Sequence, residues 1–230
     1  INGGKMKNRI ILFLLALGLL FGQEAKFNDS QYSYRVDGNK ITIQSQDESY
    51  QLEIYRSDII KTTYFSENRA AQTADKSYMV VMKPQQKIDF KINELGDKLQ
   101  IQTVEVIAEV TKKPFVVNFF DRKMKPFLLA SKKIQIKDDK KTMFFKTDKD
   151  VAFYGMGQKS IPVNRRGYAF ESYNQHIGGY SKPYSTMQVN IPYVYTSSGY
   201  GVFFDNSYPG YFDLAKSNPD EWSYRADGGV

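Results

Sequence analysis

Apolar and polar residues alternate with a period of two over much of the chain beyond residue 25. That spacing puts one face of a strand on a core and the other in solvent. Ile41 to Gln44, Tyr50 to Tyr55 and Ile59 to Phe65 follow it, and each is predicted to be a strand. Tyr78 to Met82 is a continuous apolar run closed by Pro84 and is predicted to be a buried strand. Phe90, Ile92 and Leu95 precede Gly96-Asp97, with Leu99 and Ile101 after it, which reads as a hairpin turning at a glycine that tolerates positive φ. Val104 to Val110, Phe115 to Phe120, Ile134 to Ile136 and Met143 to Phe145 continue the series, the last two flanking the charged turn Lys137 to Lys141. Val189 to Thr196 and Gly201 to Phe204 are expected to pair across Ser197-Ser-Gly199. No amphipathic helical spacing occurs after residue 25. Short strands at regular spacing with charged turns predict an all-β antiparallel sandwich, with residues 66–76 as a flexible loop.

The pattern differs only at the start. Met6 is followed by Lys7 and Arg9, then by apolar residues from Ile10 to Phe21. A basic flank before a short apolar run is the pattern of a secretory signal, and the run is shorter than the about 20 residues that span a bilayer. The expected organisation is upstream residues 1–5, a signal peptide at 6–22 cleaved near Gly22, and one domain at 23–230. A periplasmic or extracellular location follows from that reading.

Composition narrows the classes. Tyr 17 and Phe 16 in 230 residues are many, and both favour strands. Net charge is +7, of which Lys5, Lys7 and Arg9 supply three within the first 22 residues; the remainder is mild and does not call for nucleic acid. The pairs Lys112-Lys113, Lys132-Lys133 and Lys140-Lys141 read as solvated hairpin ends. The absence of Cys excludes disulfides, thiolate metal sites and a lipid-modified cysteine, and a single His excludes multi-histidine metal clusters. No cofactor is expected.

The richest stretch runs from Tyr154 to Asn206. It holds Tyr154-Gly-Met-Gly-Gln158, Asn164-Arg-Arg-Gly167, Tyr173-Asn174, Ile191-Pro192 and Gly199-Tyr-Gly-Val-Phe-Phe-Asp-Asn206. Gly155 and Gly157 do not make a nucleotide loop, since neither a third glycine nor a helix follows. In this order the five elements resemble the N-terminal domain of family 31 glycoside hydrolases, the α-glucosidase and α-xylosidase family. Phe212-Asp213-Leu214 and Tyr224 to Gly228 fit as well, and the likeness extends over roughly residues 35–230.

The resemblance implies a galactose-mutarotase-like sandwich placed ahead of a (β/α)8 catalytic barrel that this chain does not contain. It implies a retaining mechanism with both catalytic Asp residues on that barrel. No residue here is therefore assigned a catalytic role, and Asp205 and Asp213 are read as turn residues. The loop from Glu171 to Ser185 is the functional candidate. Tyr173, Asn174, Gln175 and His176 are expected to form a rim of the substrate pocket, because amides can pair with sugar hydroxyls in both directions and an aromatic face suits the ring. Relatives often carry Asp where His176 stands, which points to a different subsite preference. Arg165 and Arg166 are expected to make structural ion pairs, and Trp222 to be packing. The expected partners are an α-linked oligosaccharide or glucoside and the chain's own barrel. A non-catalytic carbohydrate-binding sandwich is the alternative reading; an aldose mutarotase is a weaker one, since that chemistry typically pairs His with a carboxylate.

Overall fold

The computed structural model describes residues 27–66, 77–174, 176, 179 and 187–229. The leader at 6–22 and most of the 66–76 loop lie outside them. Among the described residues every regular element is a strand and none is a helix. No helix there is long and apolar enough to cross a membrane.

The first half of the chain makes two meanders. β1 (Ser33–Asp37), β2 (Lys40–Gln44), β3 (Glu48–Arg56) and β4 (Ile59–Ser66) form one antiparallel sheet in sequence order. β5 (Lys91–Leu95), β6 (Lys98–Gln102), β7 (Val106–Thr111), β8 (Val116–Asp121) and β9 (Pro126–Leu128) form the second. Alternation explains how they face each other. Ile41, Ile43, Tyr50, Leu52 and Ile54 point from β2 and β3 into one core with Leu99, Ile101, Ala108 and Val110 from β6 and β7. Within each sheet these side chains sit opposite one another, Ile41 on Leu52 and Leu99 on Val110. Each fully buried aliphatic contributes about 1.5–3 kcal/mol. The β5–β6 hairpin turns at Gly96 with φ 68, as its sequence requires.

The second half adds β10 (Gln135–Lys137), β11 (Lys140–Lys146), β12 (Phe153–Gly155), β13 (Ala169–Ser172), β14 (Tyr193–Thr196), β15 (Gly201–Phe203), β16 (Gly210–Leu214) and β17 (Glu221–Ala226). They make a five-stranded sheet ordered β10-β11-β17-β16-β13 and a three-stranded sheet ordered β12-β14-β15. A second core joins them. Phe153, Phe170, Val194, Phe204, Phe212, Trp222 and Tyr224 fill it, and Phe119 and Phe127 reach it from the β8–β9 end. Trp222 is fully buried and stacks on Phe145 at 4.5 Å, so it is packing, as expected.

Two expectations are corrected and a third is refined. Tyr78 to Met82 is not a strand, and Tyr78 and Val81 are 89% and 94% exposed. The hydroxyl of Ser77 accepts from the backbone N–H groups of Met79 and Val80 at 3.2 and 2.9 Å, and donates to Asp205. Such a local side-chain bond offers the backbone an alternative to a ladder. The strand expected from Val189 starts only at Tyr193, because Pro192 has no N–H to donate and the residues before it are held elsewhere. The lysine pairs lie at the surface, with Lys113, Lys132, Lys133 and Lys140 exposed, and several of them also make ion pairs. Lys112 bonds Asp29 at 2.7 Å over the Phe27 ring, Lys132 bonds Glu221 at 3.0 Å over Phe144, and Lys133 pairs with Glu48.

Candidate functional site

Tyr173 and Asn174 leave the end of β13 and begin the loop that the sequence singles out. Tyr173 is half exposed, and Asn174 and His176 are exposed. Gln175 lies outside the described residues. Two of the four rim residues, Tyr173 and Asn174, are thus adjacent at the strand end, and their contacts are defined.

Those contacts converge on a residue the sequence reading passed over. Asn190 is buried and uses nearly all its polar atoms. Its Nδ2 donates to the carbonyls of Tyr173 and Met187 at 2.8 and 2.7 Å. Its backbone N–H donates to Asn174 Oδ1 at 2.6 Å, and its Oδ1 accepts from the Lys159 ammonium. Asn174 therefore spends its amide oxygen on the scaffold, and its Nδ2 has no partner among the described residues. The Tyr173 ring adds an exposed apolar face. Together with the imidazole of His176, these groups can contact a ring that presents C–H faces and hydroxyls.

Beneath the rim lie two cations. The Lys159 ammonium sits over the Phe170 ring at 4.6 Å, and its pKa is pulled down to about 8, first by burial and then by the positive charge of Arg165. Burial also lowers the Arg165 pKa; its Nη2 donates to Gly157 O at 3.2 Å. The expected ion pairs of Arg165 and Arg166 do not occur among the described residues. Arg166 instead donates to the carbonyls of Val151 and Pro219 and covers the Phe153 ring. Asn164 Oδ1 accepts from Phe153 N–H and Arg166 N–H. The Asn-Arg-Arg-Gly element is a backbone clasp, because a guanidinium supplies several fixed donors and loop carbonyls supply acceptors.

The Tyr154-Gly-Met-Gly-Gln158 element seats the segment that carries Asn190. Gly155, Met156 and Gly157 take φ of 96, 61 and 82. The bend lets Met156 N–H and Gln158 N–H donate to Tyr193 O and Val189 O at 2.9 and 2.7 Å. A Cβ on Gly157 would stand 2.3 Å from Val189 O and 2.9 Å from Asn190 Cα. The glycines serve close backbone approach.

Asp205 is held by Ser77 at 2.7 Å and Lys61 at 3.4 Å, while Asp213 accepts from Lys216 N–H and Ser217 N–H. Asp213 thus serves the turn that follows it, while Asp205 ties its strand end to residues far away in sequence rather than sitting in a turn. Among the described residues no cluster of three or more His, Asp or Glu could hold a metal ion. Asn190 could have been noticed as a polar residue beside Ile191-Pro192; nothing in the sequence marks Lys159.

Comparison with known proteins gives this geometry a setting. Alpha-glucosidase 2 of Bacillus thermoamyloliquefaciens is 24% identical over 224 residues, covering 90% of this chain and 28% of that protein. An alpha-xylosidase of Lactiplantibacillus pentosus is 31% identical over 80 residues, 34% of this chain and 10% of that protein. A family 31 dextranase of Flavobacterium johnsoniae, solved with isomaltotriose, superposes with TM-score 0.77 at 25% identity, covering 90% of this chain and 26% of that one. The chain thus spans about a quarter of the length of the relatives that match nearly all of it. The model of the glycosyl hydrolase 31 N-terminal galactose mutarotase-like domain matches residues 49–213, and the chain belongs to that family.

Proposed function

We propose that this chain supplies the sugar-facing rim of an exported, retaining α-glycoside-processing enzyme, with Tyr173, Asn174, Gln175 and His176 touching the substrate and the chemistry residing on a (β/α)8 barrel. The family match supports the enzyme class. The observation that carries the rim is the pairing of a half-exposed aromatic ring with an amide donor that has no partner among the described residues, at a strand end pinned by Asn190. A retaining mechanism needs two carboxylates about 5–5.5 Å apart across the scissile bond. The two Asp residues of the Tyr154–Asp213 region are engaged in structural bonds instead.

The decisive experiment assays this chain on aryl α-glucosides and titrates it with isomaltotriose by saturation-transfer NMR. Expected are no turnover and weak binding, on the order of millimolar. Turnover by the pure chain would overturn the placement of the chemistry elsewhere. Micromolar binding would instead favour a stand-alone carbohydrate-binding module. Export rests on the Lys7–Phe21 pattern. Mass spectrometry of the product from a secreting host should give an N-terminus near Gln23, and an intact leader would refute it.

A further inference from the structure

We infer that Asn190 is the positioning residue of the rim, one side chain that closes both ends of the 175–186 segment and fixes where Tyr173 and Asn174 stand; this rests on the rim reading above. The incoming end of the segment supplies Tyr173 O and Asn174 Oδ1; the outgoing end supplies Met187 O. The side-chain Nδ2 of Asn190 donates to Tyr173 O and Met187 O, its backbone N–H donates to Asn174 Oδ1, and the residue is only 7% exposed. The fourth bond, from Lys159 to Asn190 Oδ1, orients the amide so that Nδ2 faces the two carbonyls. An amide is suited to this place because one planar group combines an acceptor with two donors. A carboxylate would accept from Lys159 and repel both carbonyls, and an aliphatic side chain would orphan all of them.

The seat is built for Asn190 from the other side as well. The bend at Gly157 admits the backbone of 189–191 at distances no Cβ could tolerate, with Asn190 Cα at 2.9 Å from the position of a Cβ. Gln158 N–H holds Val189 O beside it. The side chain of Met187 is buried, so the outgoing end is anchored by packing as well as by its carbonyl. Rim placement is thereby transmitted from β12 and its glycine bend, through Asn190, to β13. The Tyr154–Gln158 element thus acts on the rim through Asn190.

The test compares the 230-residue chain with N190D. The substitution keeps shape and the Lys159 contact while removing both Nδ2 donors. We expect an unchanged sandwich by circular dichroism, backbone exchange at residues 187–191 about tenfold faster, reflecting hydrogen bonds worth that much in opening equilibrium, and isomaltotriose saturation transfer reduced by at least half. Faster exchange with undiminished saturation transfer would mean that Asn190 is structural only and would overturn the positioning role. Unchanged exchange would show that the clasp does not form. A wild-type chain without any saturation transfer would refute the sugar-rim reading itself, and the positioning role with it. A readout independent of the variant is the Asn190 side-chain amide in the wild type: slow exchange with water is expected, and free exchange would overturn the clasp even should N190D fail to fold.

Discussion

At the scale of single residues, Lys159 makes the sharpest prediction. Its ammonium is desolvated beside Arg165 and has a pKa near 8, against an ordinary 10.5. Between about pH 8 and 10.5 the unfolded chain therefore holds a proton that the folded chain has released, so stability rises with pH across that window. The tyrosines act with the opposite sign. Burial raises the pKa of Tyr200 and Tyr224 to about 12, and those of Tyr50 and Tyr64 also move up. Their contribution is complete below pH 10 and is lost as pH climbs beyond it. Thermal melts should thus show Tm rising by about 2–4 °C from pH 7.5 to 9.5, then falling above pH 10. Lys159→Met should abolish the rising limb and leave the falling one. A rising limb that survives the substitution would assign it to another group. The acid side has its own marker: Asp29, held down to about 2 by Lys112 and by two backbone N–H groups, loses its contribution as pH falls below its ordinary 3.8.

At the scale of elements, the Gly155-Met-Gly157 bend decides how much of the site forms. Gly157→Ala places a Cβ 2.3 Å from a backbone oxygen at φ 82, a conformation that L side chains rarely adopt. We expect a loss of about 2–4 kcal/mol in urea unfolding, combining backbone strain with a displaced 189–191 segment. A loss below 0.5 kcal/mol would show that the bend is not tight. This bend also marks the limit of sequence reading. Strands with clean alternation, such as Ile41 to Gln44 or Tyr50 to Tyr55, were legible because one face is apolar and the other polar. β1 was not, because Ser33–Asp37 is exposed at nearly every position and carries no buried stripe. Tyr78 to Met82 misled for the opposite reason: its apolar run is written like a strand, yet the Ser77 hydroxyl takes its first N–H groups. The rim at Tyr173 and Asn174 was legible from its residue types and its place among the motifs. Its support was not, because Asn190 and Lys159 matter through three-dimensional convergence over separations that no local pattern records.

At the scale of the whole molecule, two cores are stacked through one strand. Phe119 of β8 packs against both clusters. Further ties cross the same divide: Ala130 bridges to Phe145, Lys133 pairs with Glu48, and Asp205 holds both Lys61 and Ser77. Surface ion pairs alone contribute little, so coupling between the halves rests mainly on the aromatic contacts around Phe119 and Phe127. This predicts a single cooperative unfolding step, and the sequence supplies a clean probe for it. Trp222 is the one tryptophan and lies wholly in the second core, so its fluorescence reports that core alone, while hydrogen exchange at Ile41, Ile43 and Leu52 reports the first. In urea the two midpoints should coincide. Phe119→Ala removes the shared side chain and should cost about 3 kcal/mol. Because the loss falls on the junction, it should also split the transition, with exchange in β2 and β3 and tryptophan emission changing at different urea concentrations. Midpoints that differ already in the wild type would show the halves to be independent. Coincident midpoints in the variant would place the coupling in the Ala130 bridge and its neighbours, where Lys133→Ala is the next substitution to compare.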